Sequence, residues 1–161
     1  MTSLNFPDVN LWLALVAHEH VHSNAARRWW NSCEGQIAFC RQTQLGLLRL
    51  LSTASVMHGK PLTIDETWKI YESLFADDRV VFIAEHDRAG AIFQAKASGA
   101  EISPKIWSDA WLLAVAEAAG GSLVTFDRAL APRGAHCLLG ARNEFSTAQQ
   151  TPSGGGSRRN K

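Results

Sequence analysis

The run from Trp107 to Arg128, WSDAWLLAVAEAAGGSLVTFDR, constrains the chain most, because it joins an almost wholly apolar helix to a short β-rich segment and carries an aspartate in each part. Ser103-Pro104 ahead of it predicts the helix start, since serine caps free backbone N–H groups and proline fits the first helical position. The helix is expected to run to about Glu117 to Ala119. Trp107, Ala110 and the stretch from Trp111 to Ala116 are apolar on nearly every side, the pattern of a helix packed inside a protein. Asp109 is the exception within it. Gly120-Gly121 stops the helix, because glycine enters the left-handed conformation at little cost, and Leu123 to Phe126 reads as a buried strand. Asp127 follows at the C-terminal end of that strand, the edge where open parallel sheets bind ligands.

The N-terminus repeats the arrangement. Leu4-Asn5-Phe6-Pro7 leads into Asp8-Val9-Asn10, and a helical pattern follows at once. If the two strands are parallel neighbours, Asp8 and Asp127 meet at one edge and Asp109 can point there from a flanking helix. Three converging carboxylates repel one another. Their coexistence is usually explained by a hard cation such as Mg²⁺ or Mn²⁺, held through oxygen ligands and water. Taken singly, Asp8 and Asp127 also suit an ordinary helix N-cap.

Between these ends, strands and helices alternate. Leu11 to Trp30 predicts two helices or one broken one, with Leu11, Trp12, Leu15 and Val16 on one face and Ala25, Ala26, Trp29 and Trp30 on another. Within it lies His18-Glu19-His20-Val21-His22. On a helix only His18 and His22 have a spacing that suits a shared metal, so the stretch reads as solvated or hydrogen-bonded rather than as a zinc site. Trp29-Trp30 reads as core or interface. Gln36 to Cys40 predicts a strand, and Thr43 to Leu51 a helix that buries Leu45 and Leu48, with Leu47 and Leu51 beside them and Gln44 and Arg49 as its polar residues. Gly59-Lys60-Pro61 is a turn. Thr63 with Glu66 forms a capping box for a helix carrying Trp68, Tyr71, Leu74 and Phe75, which reads as a lid or a packing arm. Val80 to Ile83 is another strand, and Asp87 opens a helix with Ile92, Phe93 and Ala97 inward. Glu85 and Asp87 follow a strand end, so they are either further acids near the cleft or ordinary capping groups. Ala135 to Leu139 is a candidate edge strand. This alternation argues for an α/β fold with a mainly parallel sheet and helices on both faces.

Three segments carry a resemblance to a known family: PDVNLWLALV at the N-terminus, CRQTQLGLLRLLS at positions 40 to 52, and SDAWLLAVAEAAGGSLVTFDRAL at positions 108 to 130. Together they make the chain resemble a PIN domain, and within that family a VapC-type toxin ribonuclease of type II toxin-antitoxin systems. The resemblance implies a PIN-like three-layer α/β/α fold over residues 1–145. It places the family's acidic residues, catalytic and metal-binding, at Asp8, Asp109 and Asp127. Gln44 stands where the family commonly has a glutamate, and Gln44, Arg49 and Asn10 are candidates for the edge of the site. The implied protein is a Mg²⁺- or Mn²⁺-dependent endoribonuclease that acts on RNA, is held inactive by a VapB-like antitoxin and forms a homodimer. The alternative is a PIN-fold interaction module that binds an antitoxin-like partner or RNA without cleaving it, with Gln44 marking the lost activity.

Composition limits these readings without choosing between them. A chain of 161 residues with 46% hydrophobic residues suits one globular domain. A formal net charge of +1 leaves nucleic-acid binding to a local patch rather than to bulk charge. Cys33, Cys40 and Cys137 lack CxxC spacing and cannot all pair, which fits a reducing compartment and a cytoplasmic location. The apolar stretch from Leu11 to Ala17 is too short to span a membrane, and no basic residue precedes it. Residues 146–161 are rich in Gln, Gly, Ser and basic side chains and are expected to be a disordered tail. There is no G-x-S-x-G elbow and no Walker A loop. A haloacid-dehalogenase-like phosphatase would want a second aspartate two residues after Asp8, and Asn10 stands there instead. A cation held by carboxylates needs no protein nucleophile for phosphodiester hydrolysis.

Overall fold

A computed structural model describes residues 2–100 and 102–140; the expected tail at 146–161 lies outside them. Among the described residues are five strands: β1 (Leu4–Pro7), β2 (Gln36–Phe39), β3 (Val80–Phe82), β4 (Ser122–Thr125) and β5 (His136–Cys137). They form one sheet in the order β3-β2-β1-β4-β5, and every pairing is parallel. The α-helices of the described residues are α1 (Val9–Val16), α2 (Ser23–Ser32), α3 (Arg41–Leu51), α4 (Ile64–Ser73), α5 (Ala89–Lys96) and α6 (Ile106–Ala118).

The period-2 alternation of the strands sorts the core into two layers. From β2, Ile37 and Phe39 join one cluster and Ala38, with Cys40 just beyond the strand, joins the other. From β4, Val124 goes to the first and Leu123 to the second. Helices α1 to α4 supply the first layer through Leu11, Trp12, Trp29, Leu47 and Tyr71, while α5 and α6 supply the second through Ala89, Leu112, Leu113 and Val115. The result is the expected three-layer α/β/α arrangement. Trp12 stacks on Phe39 with ring centroids 3.7 Å apart, which ties α1 to β2 and is worth about 0.5–1.5 kcal/mol beyond its buried area.

Two glycines allow close approaches that set the site. A Cβ on Gly121 would lie 2.5 Å from the Leu4 carbonyl oxygen, so only glycine lets the turn after α6 enter β4 directly beside β1. A Cβ on Gly46 would lie 2.6 Å from a Val9 methyl, so glycine lets α3 press against the start of α1.

Several expectations shift. Helix α6 begins at Ile106 rather than at Ser103-Pro104, with no side-chain cap; the Ser103 carbonyl instead accepts the Ile106 N–H. Trp107, read as buried, is 57% exposed, because the buried part of α6 begins only at Ala110, one turn further on. Leu45, also read as buried, is 58% exposed, while Leu47 and Leu51 fill the core. Helix α5 starts at Ala89, two residues after Asp87. The His18–His22 stretch is a turn between α1 and α2, not a helix, so helical spacing does not govern those rings. The capping box at Thr63 and Glu66 forms as read, and α4 packs Tyr71 against Phe39, which makes it a packing arm and not a lid.

Candidate active site

Strands β1 and β4 are neighbours, but the chain reaches β4 only after building β2 and β3 on the other side of β1. The connection therefore reverses direction between β1 and β4. At such a switch point the helices diverge and leave a crevice beyond the strands' carboxyl ends. Asp8 follows β1 directly, and its backbone N–H continues the ladder to the Val124 carbonyl at 2.9 Å. Asp127 lies two residues beyond β4, which ends at Thr125 rather than at Phe126. Asp109 reaches the same edge from the first turn of α6.

Asp8 performs two tasks at once. One carboxylate oxygen caps α1 by accepting the Leu11 N–H at 2.7 Å, and the other accepts the Thr125 hydroxyl at 2.5 Å. The same Thr125 oxygen accepts the Asp127 N–H at 2.9 Å, so one buried hydroxyl links the two strand-end aspartates. Asp127 also accepts the Ala129 N–H, as an N-cap does. The capping reading therefore holds for both residues, and capping leaves both carboxylates at the strand ends that border the crevice.

The electrostatics show surplus negative charge in this crevice. Burial pushes the Asp8 carboxyl above the usual carboxylate value, the Thr125 and Leu11 hydrogen bonds oppose it, and repulsion from Asp127 and Asp109 adds to the rise. Burial likewise raises Asp109, against the pull of Lys105. Asp127 moves the other way, held down first by its hydrogen bond from Lys105 and then by the Ala129 N–H. The Lys105 ammonium donates to Asp127 and sits 3.8 Å from Asp109, and its own pKa is raised by Asp127. Sequence reading missed Lys105 and Thr125. The spacing of Lys105 and Asp109, one helical turn apart, was the only signal for the first; nothing local marks Thr125.

A groove of about 510 Å³ opens over Asp8 and Asp109 and is lined also by Asn10, Gln42, Arg49 and Ser108, whereas Asp127 lines a neighbouring cavity. Asn10 and Arg49 both line this groove. Gln44 does not. Its neighbours on α3 that face the groove are Gln42, Leu45, Gly46 and Arg49, whereas Gln44 points inward, 7% exposed, and accepts a hydrogen bond from Arg41 at 2.5 Å. It also meets the Tyr71 hydroxyl. Glu85 and Asp87 are exposed beyond β3, which is the sheet edge two strands from β1, and line no part of the groove. The three histidines diverge: His18 faces Arg27, while His20 and His22 lie against Phe126.

Among the described residues no group of three or more His, Cys, Asp or Glu side chains is gathered tightly enough to hold a metal ion by itself. Asp8 and Asp109 nevertheless fit a hard cation. They are oxygen donors whose burial and mutual repulsion are only partly offset, and a small dication commonly takes one or two carboxylates, keeping water and substrate phosphate for the rest. Lys105 supplies the positive charge beside Asp127.

Comparison with known proteins agrees with this fold. The PIN domain family matches residues 6–134. Ribonuclease VapC41 of Mycobacterium tuberculosis is 43% identical over 133 residues, covering 79% of this chain and 91% of that protein. Ribonuclease VapC44 of the same organism is 34% identical over 140 residues, covering 77% and 86%. Among solved structures, M. tuberculosis VapC20, described as a sarcin-ricin loop cleaving toxin, superposes with a TM-score of 0.59 at 16% identity, over 81% of this chain and 95% of that one. VapBC2 of Rickettsia felis, solved with a DNA fragment from its promoter, gives 0.56 at 13% identity, over 81% and 92%. A parallel sheet with acids on either side of its switch point, a matching family pattern over most of the chain and two relatives of this identity lead to one statement: the chain belongs to the PIN-domain family and, within it, to the VapC-type ribonucleases.

Proposed function

We propose that the groove over Asp8 and Asp109, with Asp127 beside it, is the catalytic centre of a Mg²⁺- or Mn²⁺-dependent endoribonuclease that acts in the cytoplasm as the toxin of a toxin-antitoxin pair. The observation that carries this reading is the convergence of three aspartates, two of them raised by burial, on one sheet switch point beside an open groove. Asp8 and Asp109 are the residues that would hold the metal. When bound, the metal supplies polarisation of a phosphoryl oxygen and a more acidic water.

The chain's own residues do the rest. Thr125 and the Leu11 N–H fix both oxygens of Asp8, so that its orientation is set before any ligand arrives. Lys105 holds Asp127 ionised. Arg49, exposed on the groove wall, is placed to receive a backbone phosphate, and Asn10 offers a neutral donor and acceptor at the rim. The described residues contain no helix long and apolar enough to cross a membrane. The expected partners are an RNA substrate, a VapB-like antitoxin and a second copy of the chain. The non-cleaving alternative rested on Gln44, which lies outside the groove and so no longer speaks for it.

The test is cleavage of total cellular RNA by the purified protein in Mg²⁺ or Mn²⁺ and in chelator. Asp8→Asn, Asp109→Asn and Asp127→Asn should each lose activity by at least about 100-fold while keeping the fold, the equivalent of about 3 kcal/mol of transition-state stabilisation. Wild-type cleavage by Asp109→Asn would place the chemistry elsewhere.

A further inference from the structure

A second cavity, of about 330 Å³, lies on the far side of Asp127 and is lined by Asn10, His20, Val21, His22, Phe126 and Asp127. It shares Asn10 with the catalytic groove, so the two form one surface with the strand-end aspartates between them. Its walls are aromatic. The His22 ring lies 4.6 Å from the Phe126 ring at 32°, His20 lies 6.5 Å from Phe126 at 23°, and the two imidazoles are 5.8 Å apart. Phe126 is buried and serves as the floor, which leaves the half-buried histidines to present their faces.

We propose that His20 and His22, backed by Phe126, form a platform on which an unpaired nucleobase of the RNA substrate stacks, next to the bond cut over Asp8 and Asp109. The inference rests on the ribonuclease reading of the groove. Single-stranded RNA is recognised largely by splayed bases stacked on aromatic rings, histidine included, with hydrogen bonds to the base edges. The cavity is at the lower end of the range of small-ligand sites, about 300–1,000 Å³, as one flat ring system requires. His20 Nδ1 accepts the His22 backbone N–H at 3.1 Å, so the neutral ring carries its proton on Nε2 and offers that N–H to a base acceptor. Burial and the neighbouring His22 lower the His20 pKa, which favours a neutral aromatic face over a cationic phosphate clamp. Asn10, exposed at the shared rim, adds a carboxamide that can read a base edge.

The decisive experiment moves one abasic nucleotide along a single-stranded RNA that the wild type cleaves. At one position flanking the cut, the loss of the base should raise the wild-type KM about tenfold, with the loss in KM rather than kcat. A variant carrying His20→Ala and His22→Ala should show the raised KM already on intact RNA and no further response to the abasic position. His20→Phe with His22→Phe should restore the response, since it keeps the stacking faces. Binding is read separately, in chelator, by fluorescence anisotropy of a mixed-sequence RNA and its fully abasic counterpart, where the wild type should prefer the RNA with bases. A wild type that cuts RNA but is indifferent to every abasic position, or an alanine variant with the wild-type KM and response, overturns the platform. A wild type that cuts no RNA in either metal overturns the ribonuclease reading instead, and equal binding of the two RNAs in chelator would then overturn the platform too.

Discussion

The Thr125 hydroxyl donates to Asp8 across 117 residues of sequence, and its oxygen accepts the backbone N–H of Asp127. One fully buried side chain thereby sets the spacing between two acids that repel each other. Groups of this kind, which touch a metal's ligands rather than the metal, commonly change affinity or activity by about 10–100-fold when removed.

Thr125→Val keeps the shape and removes the hydroxyl. Metal-dependent cleavage is expected to fall by about 10-fold or more. Stability is expected to fall by about 1–3 kcal/mol, because Asp8 and the Asp127 N–H each lose a partner in a part-buried setting. Initial rates together with urea unfolding check both effects; unchanged rates would show that Asp8 needs no such orientation.

Asp8→Asn should stabilise the metal-free protein at neutral pH. The folded-state pKa of Asp8 lies above its ordinary value of 3.8, so between the two the folded chain binds more protons than the unfolded one. The contribution of Asp8 to stability is therefore fully present below that ordinary value and is lost as pH rises through the raised folded value. Asparagine carries no charge to desolvate, caps α1 through its carbonyl oxygen and turns its NH2 to the Thr125 oxygen, which then accepts instead of donating. Melting in chelator should place the variant above wild type at pH 7, with the gap closing toward pH 4. A gap that widens on acidification would contradict the raised value.

Lys105 neutralises the site from within, so its removal should favour an added cation. In Lys105→Gln, Asp127 loses the hydrogen bond that holds its pKa down, and Asp109 loses its nearest positive charge. Mn²⁺ affinity in the absence of RNA is expected to rise about threefold to tenfold, the scale of one screened charge at this distance. Calorimetric titration measures it, and weaker binding would mean that Lys105 organises the carboxylates rather than competing for them.

Gln44→Glu should leave Mn²⁺ affinity at the wild-type value, because the side chain points to Arg41 and Tyr71 and not to the groove. Gln44→Ala should cost about 1–3 kcal/mol by leaving those two groups without their partner. A clear gain in metal binding from the glutamate would instead return position 44 to the site.

Much of this protein is determined by local pattern. The apolar run of α6, the glycine stop after it, the strand residues before Asp8 and Asp127 and the capping box at Thr63 are short-range signals, and each folds close to where its residues indicate. From the alternation of strands and helices, a parallel sheet with acids at its carboxyl edge follows, so local pattern alone assigns Asp8, Asp109 and Asp127 to one edge. The strand order decided the rest. Putting β4 beside β1 brings Thr125 to Asp8, and putting β3 at the edge carries Glu85 and Asp87 away. Which face of α3 meets the groove depends on how Gly46 seats that helix against Val9, and this leaves Arg49 on the groove wall and Gln44 turned inward. The turn that sets His20 and His22 on Phe126 joins residues about 100 positions apart, and no local spacing encodes it. Short-range propensities specify elements, but side-chain neighbours across a sheet are set by register and packing, which exist only once the chain has folded.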